Sequence, residues 1–334
     1  MRVLMITAPM PTLEQPGTAA PVARQVESLR ALGVQVAVVE LKGIKRLKYF
    51  QARLRLQALA RSADLIHAHY GYSGWIARSQ FGKPVVVSFM GDDLLGTPDA
   101  EGRLRPLSKA LVQVNRYVAR TVDAVIVKSA EMAEVVRPVK AHIIPNGVDL
   151  QTFRPLDPHE ARSELGWMEG KRHILFPGNP DLPRKGFALA QAMVAHAAAR
   201  MGEPLELVPL WGVAADRVAL VMNACDAMVL TSYVEGSPNV VKEAMACNLP
   251  IVSVTVGDVP ERLAGVAGCA ICPRDPAALD NALVQVLRDG RRTTGRCILQ
   301  AQGLDLDSVA RKILAIYEDV LAGRCRPQWW ARSS

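Results

Sequence analysis

Short apolar runs rich in Val and Ile alternate along the chain with longer stretches of helical periodicity. The runs are continuously apolar, which is typical of strands covered on both faces of a sheet. Repeated strand–helix–strand units favour right-handed crossovers and a parallel, doubly wound sheet. The predicted strands are 3–7, 34–40, 63–68, 84–89, 123–129 and 141–146, followed by 172–178, 204–210, 226–232, 250–256 and 266–272.

A polar segment with two prolines, 147–170, interrupts this alternation and is typical of a linker. The length of 334 residues fits about two domains of ~150 residues each. We therefore expect an α/β protein in which two similar domains face a cleft, with ligands at the carboxyl ends of the strands.

The composition, 50% apolar and 22% charged, excludes wholesale disorder. No uncharged apolar run reaches 18 residues, so no membrane-spanning helix is predicted. The apolar run 3–7 is too short for the core of a signal peptide, so we predict a buried strand there. The six cysteines lie in the second half, where we expect small, mostly buried, reduced thiols. Cys269 and Cys272 form a lone C-x-x-C that lacks the second pair of a zinc site.

The positive charge of the chain is concentrated in its first half. Residues 1–150 carry 20 basic and 12 acidic side chains, whereas residues 151–334 carry 20 of each. The densest part is 42–62, which has seven basic residues and no acidic one. The basic side chains of this segment are Lys42, Lys45, Arg46, Lys48, Arg53, Arg55 and Arg61.

Segment 42–62 also has helical periodicity. Its apolar residues recur at Ile44, Leu47, Phe50, Leu54 and Ala58. One interpretation is an amphipathic helix on an anionic membrane, where each basic residue contributes roughly 1 kcal/mol. The alternative is a surface helix packed on its own domain with solvated basic faces. Nucleic acid is not expected as a partner, because no nucleic-acid-binding motif accompanies the charge.

The segment 226–261 carries the most informative motif. A strand leads into a turn with Gly236 and Pro238, and a helix follows. Backbone amides up to Val240 would then lie at a helix N-terminus, which favours an anion such as a diphosphate. Glu235 and Glu243 flank this turn and could accept hydrogen bonds from hydroxyls of one bound molecule. Taken alone, the pattern also fits an ordinary capped helix start.

This stretch resembles the signature of retaining glycosyltransferases of family 4, two glutamates separated by seven residues. The resemblance implies that Glu235 contacts hydroxyls of the donor sugar and Glu243 contacts the nucleotide ribose. Segments 144–155, 175–187, 64–74 and 86–94 are similar as well, so the resemblance spans nearly the whole chain. It implies a diphosphate-binding turn made of Gly236, Ser237, Pro238, Asn239 and Val240.

The same resemblance implies a cation at the leaving phosphate. Lys185 matches the phosphate lysine of the family, and Arg184 is a second candidate, next to the loop that contains Gly178. A fixed positive charge there stabilises the charge that develops on the leaving diphosphate. Such enzymes need no metal and no further cofactor, because lysine, arginine and helix dipoles supply the charge. The alternative is a solvated Arg-Lys pair at the start of a helix.

In the first domain, Gly17 and Thr18 end the loop after the first strand, where close approach of donor phosphate or acceptor is expected. His67 and His69 flank a strand end, and either acceptor contact or a structural role is open for them. Asp92 and Asp93 follow the fourth strand, where one of them would contact the acceptor; Asp92 is the candidate catalytic base.

Several positions depart from the family pattern. Met90 and Asn179 stand where many relatives have a histidine and an arginine, and Asn248 replaces a glycine, which predicts a left-handed conformation. Segment 207–226 is short and lacks a Gly-rich turn and an extra strand, so the nucleobase pocket is expected to be reduced.

The resemblance implies a GT-B fold with domains 1–155 and 156–306. A C-terminal segment, 307–334, would form a helix that packs back on the first domain, with Trp329 and Trp330 at an interface or a membrane edge. The expected function is transfer of a hexose, with retention, from a UDP- or GDP-sugar to a lipid-linked or polysaccharide acceptor in cell-envelope synthesis. We expect a cytoplasmic protein at the inner face of the membrane. The alternatives are an epimerase of the same fold and a silent sugar-nucleotide-binding or membrane-binding partner.

Overall fold

Strands and helices alternate in the first part of the chain as the apolar pattern predicts. The computed structural model describes residues 1–12, 19–44, 47–80, 82–99, 102–167 and 170–325. The strands are β1 Arg2–Thr7, β2 Gln35–Glu40, β3 Leu65–His69, β4 Val85–Ser88, β5 Ala124–Val127 and β6 Ala141–Ile143. The helices are α1 Ala20–Ala31, α2 Lys48–Ala60, α3 Gly71–Arg78, α4 Asp92–Leu95, α5 Pro106–Thr121 and α6 Ala130–Val135.

The second part repeats the alternation. Helix α7 is Pro158–Leu165, and the strands are β7 Arg172–Phe176, β8 Leu205–Pro209, β9 Ala227–Leu230, β10 Ile251–Val254 and β11 Ala270–Cys272. The helices that follow are α8 Phe187–Met201, α9 Val218–Ala224, α10 Asn239–Ala246, α11 Val259–Leu263, α12 Pro276–Asp289, α13 Gly295–Ala301 and α14 Leu306–Leu321. Every predicted apolar run contains a strand, and the α/β prediction is confirmed.

The strands form two parallel sheets, one in each of two units. The first sheet has the order β2-β1-β3-β4-β5-β6, and the second has the order β11-β10-β9-β7-β8. Both are doubly wound, with the first strand of the unit next to its third. At that position the crossovers leave in opposite directions, so a crevice opens at the carboxyl ends of these two strands.

The units are not continuous in sequence. The first comprises Met1–Thr97, Leu104–Gly147 and the residues from Leu306 onward, and the second comprises Pro98–Arg103 and Val148–Asp305. The chain passes from the first unit to the second after Gly147, and the sequence predicted this boundary at 155. Helix α14 lies in the first unit, against α1. Trp329 and Trp330 lie outside the described residues.

The predicted linker contains a helix. Asp157 caps the N-terminus of α7 by accepting hydrogen bonds from the backbone N–H groups of His159 and Glu160, and Gly166 ends it in a left-handed conformation. The segment predicted as a linker therefore includes a packed helix, since α7 contacts α9 through Ala161 and Leu220.

The helix predicted within 42–62 is α2, but it packs through a different face. Ala52, Leu56 and Ala60 are buried in the core of the first unit, whereas Phe50 is 60% exposed and Leu54 is 51% exposed. The small alanines allow the helix to lie close to its neighbours, so the stripe of large apolar residues faces outward. As the packed-helix alternative expects, α2 packs on its own domain, through the face that contains Ala52. The predicted apolar stripe with Phe50 and Leu54 is not the packed face. Lys45 and Arg46 lie outside the described residues.

The six cysteines are free thiols. Cys225, Cys247 and Cys272 are buried as predicted, whereas Cys297 is exposed. In the described part of the chain no helix is long and apolar enough to cross a membrane.

Candidate active site

The predicted residues of the second unit meet at the point where its sheet reverses strand order. Strands β7 and β9 are neighbours there, and their carboxyl ends lead into loops 177–186 and 231–238. The first loop carries Lys185 and the second carries Glu235. Because crevices of doubly wound sheets open at this position, the topology itself places both loops at a ligand site.

A compact charge cluster joins the two loops. The Nζ atom of Lys185 lies 2.6 Å from Oε1 of Glu235, and Nη1 of Arg184 lies 3.8 Å from the same oxygen. The Lys185 and Glu235 side chains are mostly buried, and that of Arg184 is one third exposed. Two positive charges around one carboxylate leave a net positive site. Such a site attracts anions, and its carboxylate can still accept hydrogen bonds from a hydroxyl.

Glycines fix the path of the Lys185 loop. A Cβ atom on Gly178, where φ is +145°, would lie 3.2 Å from Cε of Lys185. On Gly186, with φ +68°, it would lie only 2.2 Å from the carbonyl oxygen of Thr231. The Thr231 hydroxyl donates to the carbonyl oxygens of Lys185 and Gly186 at 3.1 and 3.0 Å. The end of β9 therefore holds the lysine loop directly.

Helix α10 begins at the second loop without a side-chain cap. Its N-cap residue is Pro238, and the helix starts at Asn239. Glu243 lies one turn inside and is partly buried. The positive end of the helix dipole points at this turn, so the site gains a further preference for anions. Gly236 and Ser237 of the turn are buried, and Val240 is partly buried.

A buried brace lies beneath the turn, and the sequence reasoning missed it. Lys242, which has no exposed surface, places Nζ 3.0 Å from Oγ of Ser237. Asp258 is also buried, and Nε of Arg262 lies 3.2 Å from its carboxylate. Burial lowers the pKa of Lys242 to about 8, against an opposing effect of Asp258. The sequence did contain a signal for this brace, because Lys242 lies on the apolar face of the predicted helix, where a lysine needs a buried partner.

The loop after β10 supports the same turn from the other side. The backbone N–H of Asp258 donates to the Gly236 carbonyl at 3.1 Å. A Cβ atom on Gly257 would lie 2.5 Å from that carbonyl oxygen, so only glycine fits there. These contacts fix the backbone on which Glu235 stands.

Arg274 is a second residue that the sequence reasoning missed. Its Nη1 atom donates to the carbonyl oxygens of Thr231 and Ser232 at 2.7 and 3.2 Å, and its guanidinium lies 3.5 Å from the centre of the Tyr233 ring. The Tyr233 N–H in turn donates to the Arg184 carbonyl at 2.8 Å. Arg274 therefore stiffens the connection between the two loops.

In the first unit, the two adjacent aspartates have different environments. Asp93 is buried, and its carboxylate accepts hydrogen bonds from the backbone N–H groups of Met90 and Gly91 at 2.9–3.1 Å. Burial raises its pKa to about 6. Asp93 is thus a structural residue of this turn, which corrects its expected contact with an acceptor. Asp92 is exposed and is the aspartate that can meet a ligand.

His67 and His69 have no exposed surface. His67 contacts the Tyr317 hydroxyl through Nδ1 at 2.6 Å and the Ser88 hydroxyl through Nε2 at 2.8 Å. His69 lies 3.5 Å from the amide nitrogen of Gln25. Burial lowers the pKa of both imidazoles, to about 3 in His67. The expectation of acceptor contact is corrected for both residues, because they are part of the core.

The remaining predicted positions divide as follows. Gly17 and Thr18 lie outside the described residues. Asn179 accepts a hydrogen bond from the Asp181 N–H at 3.0 Å and so shapes the turn that precedes Pro183. Asn248 has φ +55°, as predicted. Within the described residues, no three His, Cys, Asp or Glu side chains cluster as metal ligands.

Comparison with known proteins identifies the chain's relatives. Residues 16–152 match the model of "Glycosyltransferase Family 4", and residues 185–289 match that of "Glycosyl transferases group 1". A D-inositol 3-phosphate glycosyltransferase of Actinosynnema mirum is 30% identical over 302 residues, or 76% of this chain and 72% of that protein. One from Frankia alni is 27% identical over 78% of this chain and 75% of that protein.

Solved structures show the same fold. Sucrose-phosphate synthase from Thermosynechococcus elongatus superposes with a TM-score of 0.78 at 21% identity, over 96% of this chain and 99% of that one. Anabaena HepE in complex with UDP-glucose superposes with a TM-score of 0.71 at 18% identity, over 96% and 100%. The two doubly wound units and these likenesses confirm the predicted GT-B fold. The chain therefore belongs to glycosyltransferase family 4, the group 1 glycosyltransferases, and it is a glycosyltransferase.

Proposed function

We propose that the chain transfers a hexose from a UDP- or GDP-sugar to a hydroxyl of an anionic acceptor, with retention at the anomeric carbon. The observation that carries this proposal is the cluster of Lys185, Arg184 and Glu235 beside the uncapped start of α10. Cations and a helix N-terminus suit a diphosphate, and the adjacent carboxylate suits the hydroxyls of a sugar.

Lys185 acts on the leaving group. When the bond from the anomeric carbon to the diphosphate breaks, negative charge builds up on the β-phosphate. An ammonium held by Glu235 stabilises that charge more in the transition state than in the bound substrate. Arg184 adds a second positive charge. These two side chains and α10 supply the positive field, so the proposed reaction uses neither metal nor cofactor.

The carboxylates have separate roles in this proposal. Glu235 accepts hydrogen bonds from hydroxyls of the donor sugar, and Glu243 accepts them from the ribose. The acceptor hydroxyl attacks the face that the diphosphate leaves, and its proton passes to a leaving phosphate oxygen. In the first unit Asp92 is the candidate acceptor contact, and it is the alternative base should a side chain take the proton in place of the phosphate.

The acceptor is proposed to carry phosphate. The net positive charge of the first 150 residues supports an anionic acceptor. The relatives are named for D-inositol 3-phosphate. The acceptor can also be a lipid-linked sugar or a polysaccharide of cell-envelope synthesis. In that case the same transfer reaction would take place at the inner face of the membrane.

The test is a matrix of donors and acceptors. UDP- and GDP-hexoses are incubated with D-inositol 3-phosphate, with a lipid-linked diphosphate sugar and without acceptor, in the presence and absence of EDTA. Nucleotide release is measured, and the anomeric configuration of the product is read by NMR. We expect acceptor-dependent release with retention, unchanged by EDTA.

Three results would contradict the proposal. Release of inverted product would overturn the stereochemistry, and loss of activity in EDTA would overturn the metal-independent mechanism. Conversion of the donor sugar without consumption of an acceptor would identify an epimerase. Lys185→Met should reduce the acceptor-dependent nucleotide release, and Lys171→Met, which removes a half-exposed lysine of the same unit, is the matched control.

A further inference from the structure

The helix layer on one face of the first sheet has an unusual outer surface. Helix α2 packs against α3, and α3 packs against α5. In the doubly wound order of this sheet, crossovers after the first one lie on the face opposite α1, so these three helices form one layer. Their inner sides are buried, and their outer sides would ordinarily be polar.

The outer sides are instead rich in large apolar and aromatic residues. Leu107 is 74% exposed and Tyr117 is 59% exposed, and both lie on α5. Leu111 and Val114 of α5 are exposed between them, at helical spacing. The outward stripe of α2 has the same character. We define the α2–α3–α5 face by six of its exposed apolar and aromatic side chains: Phe50, Leu54, Tyr72, Trp75, Leu111 and Tyr117.

Aromatic contacts make this face continuous across the three helices. The Tyr49 ring of α2 meets the Tyr72 ring of α3 at 6.2 Å between centroids. The Trp75 ring of α3 stacks on the Tyr117 ring of α5, also at 6.2 Å. Exposed apolar residues that join into one surface mark an interaction site, whereas scattered ones do not.

Every charged residue on these helices is basic. The sequences of α2, α3 and α5 contain no acidic residue, but they contain Lys48, Arg53, Arg55, Arg78, Lys109, Arg116 and Arg120. Among the described residues, Arg53, Arg55 and Lys109 have no ion-pair partner. These charges therefore remain available to an external anionic surface.

We infer that the α2–α3–α5 face docks the enzyme on a bilayer that contains anionic phospholipids. Trp and Tyr prefer the boundary between lipid headgroups and acyl chains, Phe and Leu enter the acyl region, and Lys and Arg pair with anionic headgroups. All the charged residues of the three helices have one sign, which favours an anionic lipid surface, where each basic residue near the headgroups contributes roughly 1 kcal/mol. The choice of a membrane as the partner rests on the proposed function, in which the acceptor can be lipid-linked. Membrane binding by this face would bring the enzyme to such an acceptor.

The experiment measures flotation of the full chain with vesicles, without donor or acceptor. Vesicles of phosphatidylcholine alone are compared with vesicles that also contain phosphatidylglycerol. We expect the wild-type protein to float with the anionic vesicles only. The double variant Trp75→Ser/Tyr117→Ser and the triple variant Arg53→Gln/Arg55→Gln/Lys109→Gln should each reduce the vesicle-bound fraction about tenfold.

The control variant is Trp211→Ser, which removes a tryptophan that is 63% exposed in the second unit. It should float like the wild-type protein. Circular dichroism and titration with UDP check that the variants fold and bind nucleotide, so a failure of docking is distinguished from a failure of the donor site.

Several outcomes would overturn the inference. Equal flotation with neutral and anionic vesicles would show that the basic residues do not contribute to binding. Absence of flotation with either kind of vesicle would show that the face does not bind a bilayer. A dimer in light scattering that Trp75→Ser/Tyr117→Ser converts to monomer would assign the face to a second copy of the chain.

Discussion

The Nδ1 atom of His67 lies 2.6 Å from the hydroxyl oxygen of Tyr317, although 250 residues separate them in sequence. His67 belongs to β3 of the first sheet, and Tyr317 belongs to α14. Both side chains have no exposed surface. This contact fixes the last helix to the first unit, and its loss would leave a buried nitrogen without a partner.

Removal of the Tyr317 hydroxyl should destabilise the first unit. Tyr317→Phe leaves Nδ1 of His67 buried and unpaired, which should lower the free energy of unfolding by about 1–3 kcal/mol. Denaturant titration measures the change. The control is Tyr117→Phe, because that tyrosine is exposed on α5. Equal effects of the two variants would show that the buried bond is not stabilising.

The stability of the first unit should fall as the pH falls, partly through His67. Burial, with a smaller effect of Lys128, lowers its pKa to about 3 from 6.5. A depressed pKa contributes stability that is full above pH 6.5 and is lost as the pH falls toward 3. Asp93 acts in the opposite sense, because its raised pKa of about 6 gives stability that is lost as the pH rises through 6.

The test therefore compares His67→Gln with the wild-type protein in thermal unfolding from pH 7.5 to 4.5. The difference in unfolding temperature between the two proteins should shrink at low pH. His69, also buried beside His67 with a lowered pKa, keeps part of the pH dependence in the variant. A difference that is constant with pH would exclude the titration of His67.

The brace under the α10 turn should matter for donor binding as well as for stability. Lys242→Met removes the ammonium that holds Ser237 and leaves the buried Asp258 carboxylate with one cation fewer, Arg262 remaining. We expect UDP to bind about tenfold more weakly, with a loss of stability of about 1–3 kcal/mol. Calorimetric titration with UDP and denaturant unfolding give the two numbers.

A second variant separates positioning from stability. Lys242→Met/Asp258→Asn also removes the charge of the buried Asp258 carboxylate, so stability should recover while UDP affinity stays low. If affinity recovered together with stability, Lys242 would have no specific role at the turn.

Lys185 should contribute chiefly to the chemical step. Lys185→Met removes the fixed cation at the leaving phosphate, which we expect to reduce kcat by about 100- to 1,000-fold. Lys185→Arg should recover part of the activity. Steady-state kinetics measure both, and a variant that raised only the donor KM would indicate ground-state binding instead.

Gly186 should be irreplaceable, whereas a glycine of similar conformation should not be. A Cβ atom on Gly186 would overlap the Thr231 carbonyl, but one on Gly202, with φ +70°, would meet nothing within 4 Å. Gly202→Ala should cost only left-handed strain, about 1 kcal/mol. Gly186→Ala should also displace Lys185 and lower kcat at least tenfold. Similar activity in the two variants would show that the Lys185 loop tolerates the shift.

The sequence by itself determined the strands, the parallel doubly wound architecture and the Glu235–Glu243 motif. These follow from local periodicity and from residues close together in the chain, and strand ends that carry the motif converge by topology. The tertiary structure decided which face of α2 is buried, because Ala52 and Leu56 fit the core whereas the larger Phe50 side chain and Leu54 face outward. It also decided that His67 and Asp93 are structural and that Lys242 and Arg274 brace the site. Those roles depend on partners distant in sequence, and side-chain burial and hydrogen bonding across such distances are set only when the elements pack.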